Sequence, residues 1–270
     1  MNKALSIIIV STNEIGLLRK CIQSIIQTVK KISFELIVIN NSSDDGTGKY
    51  LSRLKTSFPL HIVTNKRVEG FASNCNQGIQ ISTGDYLLIL NPDTRLQPNA
   101  VQHLLSFMWT HKSAGICAPK LLNPDGSLQF SFRHFPTWKS FIARRTPLRI
   151  FFPNSKINDL HLMKQADHTI TQKVDWVLGG CMCIRKKSIN DIGLLDSKYH
   201  LYVDDIDFCL RNWRGGWSVW YVPSARVIHH HQAKSDKALF NIYSLYHLKS
   251  MIHFLWKHGF TLNRKKRHML

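Results

Sequence analysis

Four apolar runs, separated by segments with other patterns, occupy the first third of the chain. The runs cover residues 4–10, 34–39, 60–64 and 86–90, and apolar side chains recur at helical spacing from Leu17 to Ile26. Strands that alternate with helices in this way predict an α/β fold, in which helices flank both faces of a mostly parallel sheet. Neither the G-x-G-x-x-G nor the G-x-x-x-x-G-K-[ST] pattern follows any run, so a dinucleotide site and a P-loop are not supported.

Polar residues follow three of these runs at the point where each predicted strand ends. Right-handed crossovers place the ends of the first, second and fourth strands at one edge of the sheet, where open α/β sheets bind ligands. The residues that meet there are Thr12, Asn13, Asn40, Asn41 and Asp93. Pro92 cannot continue a central strand, so it ends the fourth strand just before Asp93. Asp93 is a candidate ligand of a metal ion or a metal–diphosphate pair, although Asn91-Pro92-Asp93 also suits an ordinary turn.

The charge of the chain indicates anionic partners. Lysine and arginine number 36 against 17 acidic residues, which gives a formal charge of +19. Nucleic acid, anionic lipid and phosphorylated small molecules all fit such an excess. The six cysteines form no C-x-x-C pair, which is typical of reduced core residues in a cytosolic protein. The sequence predicts neither a transmembrane helix nor a signal peptide, and residues 4–10 are predicted to form a strand.

Three aspartates within four positions form the densest acidic cluster. They are Asp204, Asp205 and Asp207, and Arg211 follows one helical turn after the last. In a helix, Asp207 is expected to pair with Arg211, and acids near a helix N-terminus are favoured by its dipole. Neither effect requires two adjacent acids, so Asp204 or Asp205 is the best candidate for a general base. Mutual repulsion is expected to raise at least one pKa in the cluster.

Two other segments have the composition of a ligand site. Residues 174–185 are predicted to form one strand, and its internal pair Gly179-Gly180 permits a bulge or the close approach of a ligand. Three histidines, His229 to His231, follow the predicted strand 225–228. They suit a metal or phosphate site, but consecutive strand residues face opposite ways, so only one or two can serve. An accidental basic loop is the alternative.

The chain from Gly115 onward is expected to be rich in loops, with arginines interleaved among aromatic residues. These arginines are Arg133, Arg144, Arg145 and Arg149. This composition suits a nucleic-acid-binding, membrane-facing or acceptor-facing surface, or an irregular region that packs its aromatic rings inward.

The C-terminal part is predicted to contain a basic amphipathic helix. Leu245, Leu248, Ile252 and Leu255 share one face, and residues 236–270 hold seven Lys or Arg and one acid. A helix of this kind docks on an anionic membrane surface or, alternatively, covers a protein core and leaves a solvated tail.

With these segments in order, the chain resembles the family 2 glycosyltransferases, and in particular their rhamnosyltransferase-like branch. Val38 to Thr47 is similar to the family's V-D-N-x-S-x-D-G-T motif, and Asn65 with residues 70–79 is similar to its N-x-G-F-x-x-x-x-N-x-G segment. Leu90 to Asp93 is the L-N-P-D that this branch has where other members have D-x-D. Residues 176–185, 202–211 and 229–235 are similar to the acceptor-side motifs W-V-x-G-A, Y-x-E-D-x-D and H-x-x-x-x-S.

The resemblance implies a GT-A fold and a set of roles for the candidate residues. Residues 1–235 would form one catalytic domain, with a nucleotide-sugar half (1–115) and an acceptor half (116–235), followed by the helix and tail 236–270. Asp205, helped by Asp204, would deprotonate the acceptor, while Asp93 and His230 would bind a divalent metal, Mg²⁺ or Mn²⁺. Contacts with a dTDP- or UDP-sugar are implied for Thr12, Asn13, Asn40, Asn41, Gly70, Phe71, Asn74, Asn91 and Asp93.

The same resemblance implies an inverting transferase that moves a sugar, with L-rhamnose from dTDP-rhamnose as the leading donor, to a lipid-linked or polysaccharide acceptor. The enzyme would be cytoplasmic and associated peripherally with the inner face of the cell membrane. Three positions depart from the family pattern: Asn40 replaces an aspartate, Thr12 a tyrosine and Asp204 a glutamate. A nucleic-acid-binding protein that uses the +19 charge is the main alternative. A nucleotidyltransferase is disfavoured because no glycine-rich basic loop follows the first strand.

Overall fold

The computed structural model describes residues 4–136, 156–230, 242–259, 262 and 264. In the first half, strands and helices alternate as β1 (Leu5–Ser11), α1 (Ile15–Thr28), β2 (Phe34–Asn40), α2 (Thr47–Arg53), β3 (Leu60–Thr64), α3 (Phe71–Ile81), β4 (Tyr86–Leu90), β5 (Thr94–Leu96) and α4 (Ala100–Thr110). In the second half the described elements are β6 (Ala114–Leu122), β7 (Phe132–Arg133), α5 (Lys156–His161), β8 (Gln172–Lys173), β9 (Trp176–Val177), β10 (Cys181–Arg185), α6 (Lys186–Ile192), α7 (Asp204–Arg214), β11 (Ser218–His229) and α8 (Ile242–His258).

One mixed sheet runs through the molecule in the order β3-β2-β1-β4-β10-β6-β11-β5, with β8 attached to β11. The β3-β2-β1-β4 half is entirely parallel, as predicted from the four apolar runs. Every residue of β1, β2 and β4 is buried, which explains why these strands have no polar alternation. The edge strand β3 is half exposed, and its polar residues suit that position.

Strand β10 lies antiparallel between β4 and β6 and joins the two halves of the sheet. The predicted single strand 174–185 is wrong here, because β9 ends at Val177 and β10 begins at Cys181. Gly179 and Gly180 therefore lie in the break between two strands.

The region from Gly115 onward contains a long strand, not only the loops predicted from its prolines. Strand β6 runs from Ala114 to Leu122 and pairs in parallel with β11. Pro119 lies opposite Val222, where the register with β11 shifts before Arg226. A proline is tolerated in a sheet at such an irregularity. The arginines at 144, 145 and 149 lie outside the described residues.

Two hydrophobic layers cover the two faces of the sheet. Helices α1 and α4 pack on one face, and helices α3, α6, α7 and α8 pack on the other. Met251 and Phe254 of α8 belong to the second layer, so α8 packs on the domain predicted to end at residue 235. All six cysteines are buried and unpaired, as the sequence indicated. Among the described helices, none combines the length and the apolar character that crossing a membrane requires.

Candidate active site

A hydrogen-bonded turn holds Asp93 at the carboxyl end of β4. The backbone N–H of Asn91 donates to the carbonyl of Gly180 at 3.0 Å, and the carbonyl of Asn91 accepts from the Thr94 hydroxyl at 2.6 Å. Strand β5 then begins at Thr94 and pairs with β11. Asn91-Pro92-Asp93 is therefore both a turn and the point where an acid reaches the edge of the sheet.

His229, the last residue of β11, faces this acid. Its Nε2 atom lies 3.3 Å from Oδ1 of Asp93, and both side chains are almost buried, with 5% and 12% exposure. The pairing of His229 with Thr94 across β11 and β5 fixes this position.

Gln129 determines which nitrogen of His229 faces Asp93. Oε1 of Gln129 lies 2.6 Å from Nδ1 of His229, and the amide nitrogen of Gln129 donates to Oδ1 of Asn123 at 3.1 Å. Nδ1 of His229 is therefore the donor, and Nε2 is the nitrogen that faces the Asp93 carboxylate. Imidazole nitrogen and carboxylate oxygen are both metal-ligand atoms, so a cation could contact the two together.

His230, the predicted metal ligand, has a different partner. Its Nε2 accepts hydrogen bonds from Arg95 at 3.2 Å and 2.7 Å, while its backbone N–H donates to the carbonyl of Asp93. Desolvation, followed by the charge of Arg95, lowers the pKa of His230. The structure thus brings His229, not His230, to the carboxylate of Asp93, one residue away from the predicted register. His231 lies outside the described residues.

The acid pair occupies the N-terminus of α7, after a strained backbone segment. Tyr202 and Val203 both have positive φ angles, 64° and 69°, which are unfavourable for a bulky aromatic and for a β-branched residue. Such strain persists only where the surroundings impose it, and it is frequent at functional sites. Here it directs the chain into α7 so that Asp204 and Asp205 begin the helix.

The two acids have different surroundings. Oδ2 of Asp205 accepts from the Gly179 N–H at 3.2 Å, and Oδ1 accepts from the Ile206 N–H at 2.9 Å. Burial raises the pKa of Asp205, while these two hydrogen bonds and the charge of Arg133 offset part of the rise. Burial and then the charge of Asp205 raise the pKa of Asp204 further. The pKa of Asp204 is therefore raised more than that of Asp205, because hydrogen bonds and a nearby cation stabilise the Asp205 carboxylate.

Asp207 has the structural role predicted for it. It is fully buried, and Arg211 donates to its Oδ2 at 2.7 Å across one helical turn. Burial alone would raise the pKa of Asp207, but the hydrogen bond from His258 and the charges of Arg211 and Lys257 bring it far below its ordinary range.

The glycine pair Gly179-Gly180 contacts both the Asp93–His229 pair and the acids of α7. Gly179 donates its N–H to Asp205, and the carbonyl of Gly180 accepts from Asn91. A Cβ atom at Gly180 would lie only 3.2 Å from Cε1 of His229, so the bare backbone lets the imidazole approach. Asp205 and the Asp93–His229 pair therefore both lie next to Gly179-Gly180, although they come from distant parts of the sequence.

Amide side chains at the ends of β1 and β2 form a polar network that shapes the neighbouring loop. Asn41 donates to the Thr12 hydroxyl at 3.0 Å and accepts from the Glu69 N–H at 2.8 Å, and Asn65 donates to Asn74 at 2.6 Å. Asn40 accepts from the backbone N–H of Ser43 at 3.2 Å. Among the predicted donor contacts, Asn40, Asn41 and Asn74 are buried, and the structure gives them this supporting role.

Two of the other predicted donor contacts, Asn13 and Phe71, are more accessible, whereas Gly70 is buried. Asn13 is exposed, and its Oδ1 accepts from the Asp44 N–H at 2.9 Å. Phe71 is half-buried at the start of α3, and its N–H donates to the carbonyl of His200 at 3.0 Å. A Cβ at Gly70 would lie 3.0 Å from backbone atoms of His200, so the absence of a side chain at Gly70 allows the His200 backbone to approach the start of α3.

Two residues near the candidate site have no signal in the sequence that indicates it. Gln129 follows a turn with no motif around it, yet it orients His229. Arg133 belongs to a group of arginines among aromatic residues whose composition leaves several interpretations open, and in the structure its charge acts on Asp205. Within the described ranges, no group of three or more His, Cys, Asp or Glu side chains is arranged to hold a metal. A metal at this site would therefore have Asp93 and His229 as its side-chain ligands and would need further oxygen ligands from elsewhere.

Comparison with known proteins identifies the family. The sequence profile of glycosyl transferase family 2 matches residues 6–193, and the chain belongs to this family. It is 30% identical over 158 residues to an N-acetylglucosaminyl-diphospho-decaprenol L-rhamnosyltransferase of Mycobacterium tuberculosis, covering 57% of this chain and 50% of that protein. The chain thus spans about half the length of this relative. It is also 28% identical over 207 residues to the rhamnosyltransferase WbbL of Escherichia coli, covering 73% of this chain and 74% of WbbL.

Solved structures confirm the predicted GT-A fold. GalNAc-T7, solved with UDP, GalNAc and Mn²⁺, aligns with a TM-score of 0.65 at 18% identity and covers 86% of this chain and 44% of that chain. The mannosyltransferase PcManGT of Pyrobaculum calidifontis, solved with GDP-Man and Mn²⁺, aligns with a TM-score of 0.63 at 12% identity. The alignment covers 87% of this chain and 59% of that chain. At these identities the likeness shows the fold alone.

Proposed function

We propose that this chain is an inverting, metal-dependent glycosyltransferase that moves a sugar from a dTDP- or UDP-sugar to a lipid-linked or polysaccharide acceptor. The observation that supports it most is the contact of two adjacent residues with the two candidate groups: Gly179 with Asp205, and Gly180 with His229 of the Asp93–His229 pair. A base for the acceptor and a cation site for the leaving diphosphate are the two groups that direct displacement requires.

The proposed metal ligands are Asp93 and His229, in place of the predicted Asp93 and His230. Nε2 of His229 and Oδ1 of Asp93 face each other at 3.3 Å, which gives a physical reason for a cation that contacts both atoms. Oxygen and imidazole ligands suit Mn²⁺, and Mg²⁺ would rely more on diphosphate oxygens and water. The bound ion would neutralise charge on the departing nucleoside diphosphate.

In this proposal Asp205 removes the proton from the acceptor hydroxyl. Its Oδ1 and Oδ2 are held by backbone N–H groups, so its carboxylate is oriented before the acceptor arrives. The acceptor oxygen attacks the anomeric carbon as the bond to the diphosphate breaks, and this single displacement inverts the configuration. No covalent nucleophile is needed, and the raised pKa of Asp204 favours the form of this neighbour that adds no negative charge beside the base.

Rhamnose is the donor sugar we propose to test first. The printed names of two relatives describe rhamnosyltransferases, and one of those names includes a diphospho-decaprenol acceptor. A lipid-linked acceptor would place the enzyme at the cytoplasmic face of the cell membrane, where its +19 charge favours anionic lipid.

A thermal-shift panel of nucleotide-sugars, each with and without Mn²⁺ or Mg²⁺, tests the donor and the metal together. A donor present at 100 times its dissociation constant should stabilise the fold by about 2.7 kcal/mol. We expect dTDP-rhamnose to stabilise the protein only when metal is present. No stabilisation by any nucleotide-sugar would contradict the proposed function.

Asp205→Asn separates catalysis from donor binding. Loss of a general base lowers turnover by about 100- to 10,000-fold. The metal-dependent thermal shift by the donor should persist, because Asp205 is assigned to the acceptor. Unchanged turnover would remove Asp205 from the mechanism.

A nucleic-acid-binding protein is the alternative that the +19 charge supports. It predicts tight binding to DNA or RNA with an affinity that falls steeply as salt rises. Filter binding over a range of salt concentrations distinguishes the two functions, because a nucleotide-sugar enzyme should retain nucleic acid only weakly and without specificity.

A further inference from the structure

Helix α8 presents an apolar stripe to solvent. Leu245, Leu248, Ile252 and Trp256 recur at steps of three and four residues and are 45%, 46%, 59% and 80% exposed. The opposite face contains Met251 and Phe254, which are buried in the core. The helix is therefore apolar on both sides, and only one side has a partner among the described residues.

The charges around this stripe favour an anionic lipid surface as its partner. Residues 237–270 contain seven Lys or Arg and no acid, and Lys249 is exposed beside the stripe. An apolar and aromatic stripe on a helix whose charged residues are all cationic is typical of helices that lie in the interface of anionic membranes. A second copy of this chain is a poor partner, because it has the same +19 charge.

The buried face of α8 contacts the segment that bears the acid pair. Lys257 Nζ and His258 Nε2 lie 2.8 Å and 2.6 Å from Oδ1 of Asp207, one turn after Asp204 in α7. The Ser250 hydroxyl donates to the carbonyl of Leu201 at 3.0 Å, just before the strained residues that lead into α7. One helix thus has the exposed stripe on one side and the start of α7 on the other.

We propose that α8 is an interfacial helix whose apolar stripe enters the surface of an anionic bilayer and holds the acceptor side of the site at that surface. The docking itself does not require the proposed function, whereas the benefit to a lipid-linked acceptor rests on it. Through Asp207 and Leu201, the same helix fixes the position of Asp204 and Asp205 relative to the bilayer.

Vesicle flotation with point variants tests the docking. Deleting α8 would remove Met251 and Phe254 from the core and leave the buried Asp207 without Lys257 and His258, so truncation would disturb the fold itself. The test variant is Ile252→Asn with Trp256→Ser. The matched control is Ile81→Asn with Ile170→Ser, which removes exposed apolar side chains (43% and 52%) elsewhere on the surface.

We expect the wild type and the control to float with phosphatidylglycerol vesicles and not with pure phosphatidylcholine vesicles. The stripe variant should bind phosphatidylglycerol at least tenfold more weakly, with an unchanged unfolding midpoint. Equal binding by both double variants would show that charge alone attracts the protein and would overturn the role of the stripe. Equal binding of the wild type to both lipids would overturn the choice of an anionic surface.

A comparison of acceptors separates this inference from the proposed function. The stripe variant should lose transfer to a polyprenyl-linked acceptor in vesicles and keep transfer to a short-chain, water-soluble form of the same acceptor. Loss of transfer to both forms would overturn docking as the role of the stripe. Absence of transfer by the wild type would contradict the proposed function and leave the flotation result standing.

Discussion

Replacing Gly180 by alanine tests whether His229 must lie directly against the backbone. The added Cβ would be 3.2 Å from Cε1, 3.3 Å from Nε2 and 3.5 Å from Nδ1 of the imidazole. Favourable carbon contacts lie at about 3.5–4.0 Å, so the ring must retreat by at least about 0.3 Å. Gly180 is not among the glycines with positive φ, so alanine is compatible with the backbone and the effect arises from the contact alone.

This displacement of the imidazole ring is large compared with the variation that metal–ligand distances tolerate. Gln129 holds Nδ1 of His229 at 2.6 Å and limits where the ring can move. Metal–ligand distances tolerate changes of about 0.2 Å, and disturbing the residues around a ligand typically costs about 10- to 100-fold in affinity. We expect Gly180→Ala to weaken Mn²⁺ binding in the presence of dTDP by that factor, equivalent to about 1.4–2.7 kcal/mol.

Gly179→Ala is the matched control on the adjacent residue. Its Cβ would meet Asp205 only at 3.8 Å and 3.9 Å, which is ordinary van der Waals contact. Titration of Mn²⁺ followed by electron paramagnetic resonance measures both affinities, and unfolding midpoints verify that both variants fold. Wild-type Mn²⁺ affinity in Gly180→Ala, or an equal loss in both variants, would refute the assignment of His229 as a ligand.

Two further predictions concern the buried acids of α7. Because burial raises the pKa of Asp204, the native state holds its proton more tightly than the unfolded chain does. The free energy of unfolding should therefore fall as pH rises from about 4 toward the raised pKa, by at most about 1.4 kcal/mol per pH unit, and Asp204→Asn should flatten this slope in urea titrations. A slope equal to that of the wild type would contradict the burial of this carboxyl. Asp207→Asn should lower the free energy of unfolding by about 3–5 kcal/mol, because Arg211 and Lys257 lose a buried countercharge. A loss below about 1 kcal/mol would show that those cations find other partners.

The parallel half of the sheet could be predicted closely from the sequence. Strands β1, β2 and β4 are buried on both faces, so each is a continuous apolar run whose limits are visible in the residues. The other half gave weaker signals. Strands β7, β8 and β9 have only two residues each, which is too short for any periodicity.

The prediction of His230 in place of His229 as the neighbour of Asp93 shows what a sequence pattern cannot determine. Alternation along a strand says that only one of two neighbours faces a given side, but the choice depends on the register. In β11 that register shifts between Val222 and Arg226; Pro223 lies in this interval and indicates an irregularity, but it does not tell by how many residues the register shifts. A motif match likewise cannot tell a residue that touches a ligand from one that supports the loop, as Asn41 and Asn74 do.

The break between β9 and β10 couples the two halves of the proposed chemistry. Gly179 binds Asp205 and Gly180 lies against His229, and the Cα atoms of adjacent residues are about 3.8 Å apart. If Asp205 is the base and His229 a metal ligand, as proposed, this backbone link would align the donor with the acceptor. Since Asp93 and His229 are the only two side-chain ligands proposed, oxygen atoms of the diphosphate and water would complete the coordination. Metal and nucleotide-sugar should consequently bind together, each raising the affinity of the other by the same factor.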